Sequence, residues 1–262
     1  MIKVYNDNCI TVMNELIANG VQVDLTVTSP PYDNLRTYEG SCQWNFETFK
    51  AVADRLYKIT KDGGVIVWVV GDATIKGSET GTSFKQALYF KEIGFNLHDT
   101  MIWYKGSCPF PDKTRYYQSF EYMFVFVKGK IEHFTPIEDR VNKWGGEKVH
   151  GTLRQPDGSL KQPTGVKSGR VVKEKGVRFN VWDIPPERNN KTGHPAVFPM
   201  NIANDHILSW SNEGDVVFDP FMGSGTTGVV CKKLNRNFIG VEIVDKYFDI
   251  ACERIREVKN AI

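Results

Sequence analysis

The feature that most limits the fold of this chain is a regular exchange of two hydrophobic periods. Val23–Thr28 is short, apolar and rich in β-branched residues, and Ser29-Pro30-Pro31 stops it. Proline has no N–H to give a central ladder, so a strand that meets two of them ends there. Phe46, Phe49, Val52, Ala53, Leu56 and Tyr57 then recur at helical spacing. Gly63-Gly64 is expected to close that helix, and residues 65–70 form an unbroken apolar run of the kind buried on both faces of a sheet. Residues 83–93 read as a further amphipathic helix, and 100–104 and 122–127 as strands. The alternation resumes with a helix at 201–210, a strand at 215–219, a helix at 225–234, a strand at 238–242 and a helix at 245–258. Such an order predicts an α/β fold, with a mostly parallel twisted sheet and helices on both faces.

One stretch breaks the pattern. Between residues 129 and 191 the periodicity fades and Gly, Pro, Lys and Arg dominate. Ten basic residues fall between 140 and 178: Arg140, Lys143, Lys148, Arg154, Lys161, Lys167, Arg170, Lys173, Lys175 and Arg178. Only Glu147, Asp157 and Glu174 oppose them, a local net charge of +7 in a chain whose total is +2. The positive charge is therefore gathered in one insertion, which suits phosphate contacts, with Trp144 and Trp182 as aromatic contributors. A merely solvated loop is the plainer alternative, since charge runs usually are that. The expected organisation is one domain from 1–128 and 192–262, interrupted by a basic insertion at 129–191.

The five cysteines are scattered, with no C-x-x-C pair, which fits reduced thiols and argues against a disulfide framework or a zinc site. No metal ligand set is expected. The N-terminal residues lack a signal-peptide core and no apolar run approaches a membrane span, so a soluble cytoplasmic protein is expected.

Two turns carry the chemistry. The first in importance is Asp219-Pro220-Phe221-Met222-Gly223-Ser224-Gly225-Thr226-Thr227, between a strand and a helix. Glycines there let the backbone approach a ligand, and ligands of open α/β sheets sit beyond the carboxyl ends of strands. Glu242, 23 residues after Asp219, ends the next strand, where a carboxylate can accept hydrogen bonds from both ribose hydroxyls of a nucleoside cofactor. Gly223, Gly225 and Gly228 also match the dinucleotide spacing G-x-G-x-x-G, a weak signal alone, and no constellation for hydride chemistry accompanies it.

The second turn is Thr28-Ser29-Pro30-Pro31-Tyr32. Its prolines stiffen the chain and leave carbonyl acceptors without local donors. Ser29 Oγ and the Pro30 carbonyl can take the two N–H bonds of an exocyclic amine, and Tyr32 can stack on the ring. An aromatic amine is a poor nucleophile, and acceptors aimed at its hydrogens stabilise the charge that develops on attack. A proline-capped strand end with a packing tyrosine is the bland alternative.

Together these turns make the chain resemble the DNA amino-methyltransferases of the permuted arrangement called the β class. There the catalytic tetrapeptide precedes the cofactor loop and the base-recognition insertion lies between them. Ser29-Pro30-Pro31-Tyr32 matches the catalytic motif, Asp219-Pro220-Phe221 through Gly225 the cofactor motif, and Glu242 its acidic partner. His194-Pro195-Ala196-Val197-Phe198-Pro199 resembles the segment around the methionine end, and Asn6-Asp7-Asn8-Cys9 the adenine-contacting turn. The resemblance implies a Rossmann-like methyltransferase fold with S-adenosyl-L-methionine as cofactor. Asp7, Cys9, Phe198, Asp219, Pro220, Phe221, Gly223, Ser224, Gly225, Thr226 and Glu242 are the expected cofactor residues.

The implied substrate is a base flipped out of double-stranded DNA. Phosphate contacts are expected from the insertion, and the loop at 33–43 is expected to close over the flipped base, with Arg36, Tyr38 and Trp44 as candidates to which no particular role is given. Family members with Ser before Pro-Pro-Tyr are mostly N4-cytosine enzymes, so cytosine N4 is favoured over adenine N6. RNA or protein-amide methylation is a more distant alternative, and a binding-only relative of the fold a further one. The resemblance also admits a homodimer, a cognate restriction endonuclease and a bacterial, archaeal or phage source. Asp72 is expected to be a helix cap rather than a pocket residue, His98 and His133 structural, and Glu121 open between a buried ion-pair partner and no role.

Overall fold

The computed structural model describes residues 1–31, 44–107, 113–187 and 199–258. The chain divides into two compact units, one of residues 1–135 and 180–262 and one of residues 136–179.

The larger unit is built on an eight-stranded sheet. Its strands are β1 (Ile2–Tyr5), β2 (Val23–Thr28), β3 (Thr60–Val70), β4 (Phe95–Tyr104), β5 (Phe120–Lys128), β6 (Val181–Asp183), β7 (Val216–Asp219) and β8 (Asn237–Val241), in the order β1-β8-β7-β2-β3-β5-β4-β6. Every neighbouring pair is parallel except the two that β5 makes, with β3 and β4. Among the described residues six helices accompany it: α1 (Cys9–Ala18), α2 (Phe46–Ile59), α3 (Thr82–Glu92), α4 (Met200–Trp210), α5 (Thr226–Lys233) and α6 (Asp245–Glu257).

Strand β3 explains why its sequence reads as a continuous apolar run. Val65, Val67 and Val69 enter one core and Ile66, Trp68 and Val70 the other, because successive side chains leave a strand on opposite faces. The first core is roofed by α4, α5 and α6 through Ile202, Ile207, Val230 and Ile255. The second is roofed by α1, α2 and α3 through Met13, Phe49, Leu56 and Phe90.

Several sequence expectations shift in detail. Helix α2 stops at Ile59, before the glycines, where Thr60 Oγ1 donates back to the Leu56 carbonyl at 2.6 Å. Strand β3 begins there and carries Gly63 at φ +80° inside it. Strand β4 starts at Phe95, earlier than expected, because its first half alternates buried Phe95 with exposed Asn96 and shows no apolar run. Strand β1 and helix α1 escape the periodicity reading. β1 is only four residues long, and the cap of α1, Asn8 accepting from Ile10 N at 2.8 Å, sits in a segment read as a turn. Trp182 corrects an expectation outright. It lies in edge strand β6, 5% exposed, and stacks on His206 with ring centroids 4.5 Å apart, so it belongs to the core and not to a nucleic-acid surface.

The other structural expectations find plain partners. Asp72 accepts from Ser83 N at 2.9 Å and so caps α3. Glu121, nearly buried, pairs with Lys105, whose ammonium also lies 4.9 Å over the Trp103 ring. His98 meets Trp210 edge-on. No described helix is long and apolar enough to cross a membrane.

The second core holds a buried polar contact, Trp68 Nε1 to Gln86 Oε1 at 2.8 Å. Gln86→Leu leaves the indole N–H unpaired and is expected to lower the unfolding free energy by about 1–3 kcal/mol. Trp68→Phe combined with Gln86→Leu should lose less than the two single changes together. Denaturant melts of the four proteins check this, and strict additivity would refute it.

Candidate active site

The sheet order places the two motif turns side by side. From β2 the chain runs through α2 to β3 on one side, and from β7 through α5 to β8 on the other, so the direction of winding reverses between β2 and β7. That is the crevice in which open α/β sheets bind ligands. Val217 pairs with Leu25 and Phe218 with Thr26, so Asp219 and Thr28 leave the sheet together.

They are joined directly. Thr28 Oγ1 donates to Asp219 Oδ1 at 2.7 Å, and Thr227 Oγ1 to Asp219 Oδ2 at 2.7 Å. Phe221 N donates to Asp219 Oδ1 at 3.1 Å. The carboxylate, 4% exposed, thus clasps the end of β2, the loop after β7 and the first turn of α5. Burial pushes its value up to about 6, against the pull of these three hydrogen bonds. Both its oxygens serve the protein's own hydroxyls and amide, which makes it the anchor of the loop.

The loop itself turns on glycine. Gly223 and Gly225 have φ of +50° and +78°. A Cβ on Gly225 would also come within 2.8 Å of Ala251 Cβ on α6. Pro220 is buried and Phe221 half-buried, its ring edge-on to Trp44 at 5.3 Å and to Trp68 at 6.4 Å. Gly228, the third glycine of the dinucleotide-like spacing, serves packing, since a Cβ there would lie 2.5 Å from Ile255 Cδ1.

Glu242 follows β8. Its Oε2 accepts from Gly223 N at 3.0 Å and its Oε1 from Val244 N at 2.9 Å, and burial raises its value. Each oxygen keeps a further lone pair, which is what a vicinal diol requires. The turn at 6–9 runs alongside it: Asn6 Nδ2 donates to the Glu242 carbonyl at 3.1 Å and Glu242 N to the Tyr5 carbonyl at 3.0 Å. Asp7 is exposed in this turn and Cys9 half-buried as the first residue of α1. These groups fit a nucleoside cofactor: a half-buried carboxylate, a glycine turn against it and an aromatic ring beside them.

Ser29 and Pro31 are half-buried and Pro30 buried at the end of β2. Tyr32, Arg36 and Phe198 lie outside the described residues, as do the loop at 33–43 and the segment at 194–198. Among the described residues no group of three or more His, Cys, Asp or Glu is arranged to hold a metal.

Three residues that the sequence reading missed hold the loop. Thr28 and Thr227 are two of them. The third, Arg254 on α6, donates through Nη1 to the Ser224 carbonyl, to Ser224 Oγ at 2.8 Å and to Thr226 Oγ1 at 3.4 Å. Ser224 and Thr226, expected at the cofactor, are 4% exposed and turned to this guanidinium. A hydroxyl at the end of an apolar strand and an arginine on an amphipathic helix are commonplace in sequence, so only the fold reveals them.

A Rossmann-like sheet with a glycine loop and an acidic strand end beside its switch point is the arrangement that holds a nucleoside cofactor. Residues 23–253 match the family model described as DNA methylase, which comprises N6- and N4-methyltransferases. The orphan methyltransferase M.BamHII of Bacillus amyloliquefaciens is 57% identical over 242 residues, covering 89% of each chain. The crystal structure of the M1.HpyAVI–SAM complex superposes with a TM-score of 0.66 at 26% identity, covering 97% of this chain and 99% of that one. The PvuII DNA methyltransferase, described as cytosine-N4-specific, shares the fold with a TM-score of 0.70 at 21% identity, covering 100% and 88%. The chain belongs to the N6/N4 DNA methylase family. It is a DNA amino-methyltransferase whose cofactor is S-adenosylmethionine.

Two predictions follow from the anchors. Between pH about 4 and about 6 the folded chain holds a proton on Asp219 that the unfolded chain has released, so this linkage stabilises the fold below pH 4 and is lost as pH rises through 6. Asn at 219 has no such proton. The stability of the wild type relative to Asp219→Asn should therefore fall by up to ~3 kcal/mol from pH 4 to 7, measured by denaturant melts. A difference that does not vary with pH would exclude the linkage. Separately, Arg254→Ala should weaken S-adenosylmethionine binding about tenfold, with partial rescue by Arg254→Lys. Calorimetric affinities unchanged from wild type would mean the loop holds its shape without Arg254.

Proposed function

We propose that this chain methylates N4 of cytosine within a specific sequence of double-stranded DNA. The observation that carries the reading is the Thr28–Asp219 clasp, because Ser29 directly follows Thr28, the residue hydrogen-bonded to the anchor of the glycine loop. Ser29, Pro30, Pro31 and Tyr32 receive the flipped base. Ser29 Oγ and the Pro30 carbonyl accept its two amino hydrogens, which directs the nitrogen lone pair out of the ring plane and stabilises the charge that grows on attack. Tyr32 stacks on the ring, and Arg36 closes over it.

Glu242 takes the ribose hydroxyls of the cofactor, with Gly223, Gly225 and Phe221 lining it and Asp7, Cys9 and Phe198 completing the site. Asp219, Pro220, Ser224 and Thr226 keep the loop in shape for it. When bound, the cofactor supplies a methyl group on a positively charged sulfur, already reactive toward an amine. The protein's remaining task is alignment of donor and acceptor, which is worth several orders of magnitude. Because the acceptors act only on hydrogen bonds and the cofactor is its own electrophile, no covalent enzyme intermediate is needed.

Ser29 favours cytosine over adenine, whereas both bases present the same two N–H groups to the same acceptors. The residues 129–191 are assigned to DNA. Lys143, Lys148, Arg154, Lys161, Lys167, Arg170, Lys173 and Lys175 are exposed, as phosphate contacts must be. Arg178 differs: it is half-buried and its Nε lies 3.1 Å from both Asp139 oxygens, which holds that carboxyl below its ordinary range. Its role is then to brace the unit. The reading requires neither a second copy of the chain nor a companion endonuclease.

The test is methylation of unmodified bacterial DNA with labelled cofactor, followed by digestion to nucleosides and mass spectrometry. N4-methylcytosine is expected, and Ser29→Ala should depress turnover about 10²-fold or more while leaving cofactor affinity near wild type. N6-methyladenine would overturn the base assignment and keep the mechanism. Label in RNA or protein alone would overturn the substrate class.

A further inference from the structure

The unit at 136–179 contains an antiparallel ribbon of Leu153–Arg154 and Leu160–Lys161. All four residues are exposed, Leu153 at 56% and Leu160 at 63%. A hairpin whose leucines face water on both sides leaves apolar surface that contact with a partner would cover favourably. Its turn is nevertheless fixed. Gly158 N donates to the Gln155 carbonyl at 2.9 Å and Gln155 N to the Ser159 carbonyl at 2.8 Å. Asp157 accepts from Ser159 N at 2.9 Å and from Ser159 Oγ at 2.7 Å, and Gly158 takes φ +85°. Pro156 and Asp157 inside a type I turn, followed by a left-handed glycine, make a three-residue hairpin loop that holds one register.

The arginines of this unit divide into two kinds. Arg140 donates to the Val177 carbonyl at 2.9 Å and lies 4.3 Å from the Phe179 ring centroid, and Arg178 is held by Asp139. These two brace the pairing of residues 140–141 with 175–176. Arg154, on the ribbon, and Arg170 are exposed. In the register, Arg154 stands opposite Leu160 and Lys161 opposite Leu153. Opposed residues of an antiparallel pair share a face, so each face of the ribbon carries one cation and one leucine.

We propose that this ribbon is the sequence-reading element of the unit and that it enters the DNA major groove, with Arg154 reading a guanine. The proposal rests on the assignment of this unit to DNA. The major groove admits a two-stranded ribbon, and the guanidinium fork matches the O6 and N7 acceptors of guanine. Leu160, on the same face, gives apolar contact to a thymine methyl, the one hydrophobic group the groove displays. Lys161, on the other face, meets phosphate as a point charge and carries no sequence information. The fixed turn lowers the entropy lost when the ribbon is inserted.

The experiment expresses the wild type and three variants in a methylation-free bacterial host and maps methylated bases across the genome by single-molecule sequencing. Purified proteins are assayed in parallel for duplex binding at several salt concentrations and for folding by thermal melt. The wild type should yield one motif. Arg154→Ala should relax that motif at one guanine, with discrimination there falling about ten- to a hundredfold. Arg154→Lys keeps the charge and loses the fork, so it should relax the same position and retain the salt slope. Lys161→Ala should keep the motif and reduce the salt slope by about one unit. A motif left intact by both Arg154 variants overturns the proposal, as does a loss that is uniform over all sequences, which would make Arg154 a phosphate contact. A wild type that methylates without any motif would instead overturn the underlying assignment of the unit as the reader of DNA sequence.

Discussion

The buried carboxylate of Asp219 is the constraint on which the site depends. It accepts hydrogen bonds from Thr28, from Thr227 and from the Phe221 amide, and so ties together three pieces of chain: the end of β2, the first turn of α5 and the loop between β7 and that helix. Thr28 and Asp219 are 191 residues apart in sequence. A charge in so dry a place is costly, and the protein tolerates it because every lone pair it uses is directed at a group whose position matters. Glu242 repeats the device one strand over, its two oxygens held by amides of the glycine loop and of the turn before α6. Between them the two carboxylates set the shape of the crevice before any ligand enters it.

This arrangement makes the fold and the chemistry hard to separate. Gly225 lets the loop turn and also lets α6 approach, while Arg254 on α6 reaches back to the loop. The last helix therefore acts on the cofactor site through packing and through one guanidinium, without facing the ligand itself. Ser29 and Pro30, the acceptors proposed for the base, follow directly from a strand whose side chains are buried in both cores, so their positions inherit the stiffness of the sheet.

Much of this was legible in the sequence wherever both faces of an element are buried. The apolar run at 65–70 and the glycine loop after Asp219 each have one cheap explanation, and the sheet follows from them. What escaped did so for physical reasons. Strand β1 is too short to show a period, and β4 is half exposed. The braces at Thr28, Thr227 and Arg254 are ordinary residues made special by partners far along the chain. Trp182 misled because composition assigned it to the basic insertion, whereas the pairing of β6 with β4 draws it into the core. In the unit at 136–179 the strands are two residues long and lie almost wholly at the surface, where no hydrophobic pattern exists to be read.

The position of β1 has a consequence for how the molecule is made. Its residues pair in register with β8, so that Ile2 lies beside Phe238. Strand β1 is thus made more than two hundred residues before β8, its neighbour in the sheet among the described residues. At about 5–20 residues per second that interval is on the order of ten to fifty seconds, during which α1 has no completed sheet to cover. Because β1 pairs with β8 along its length, the edge that carries Glu242 takes its place only once residues 237–241 have been made and have found β1.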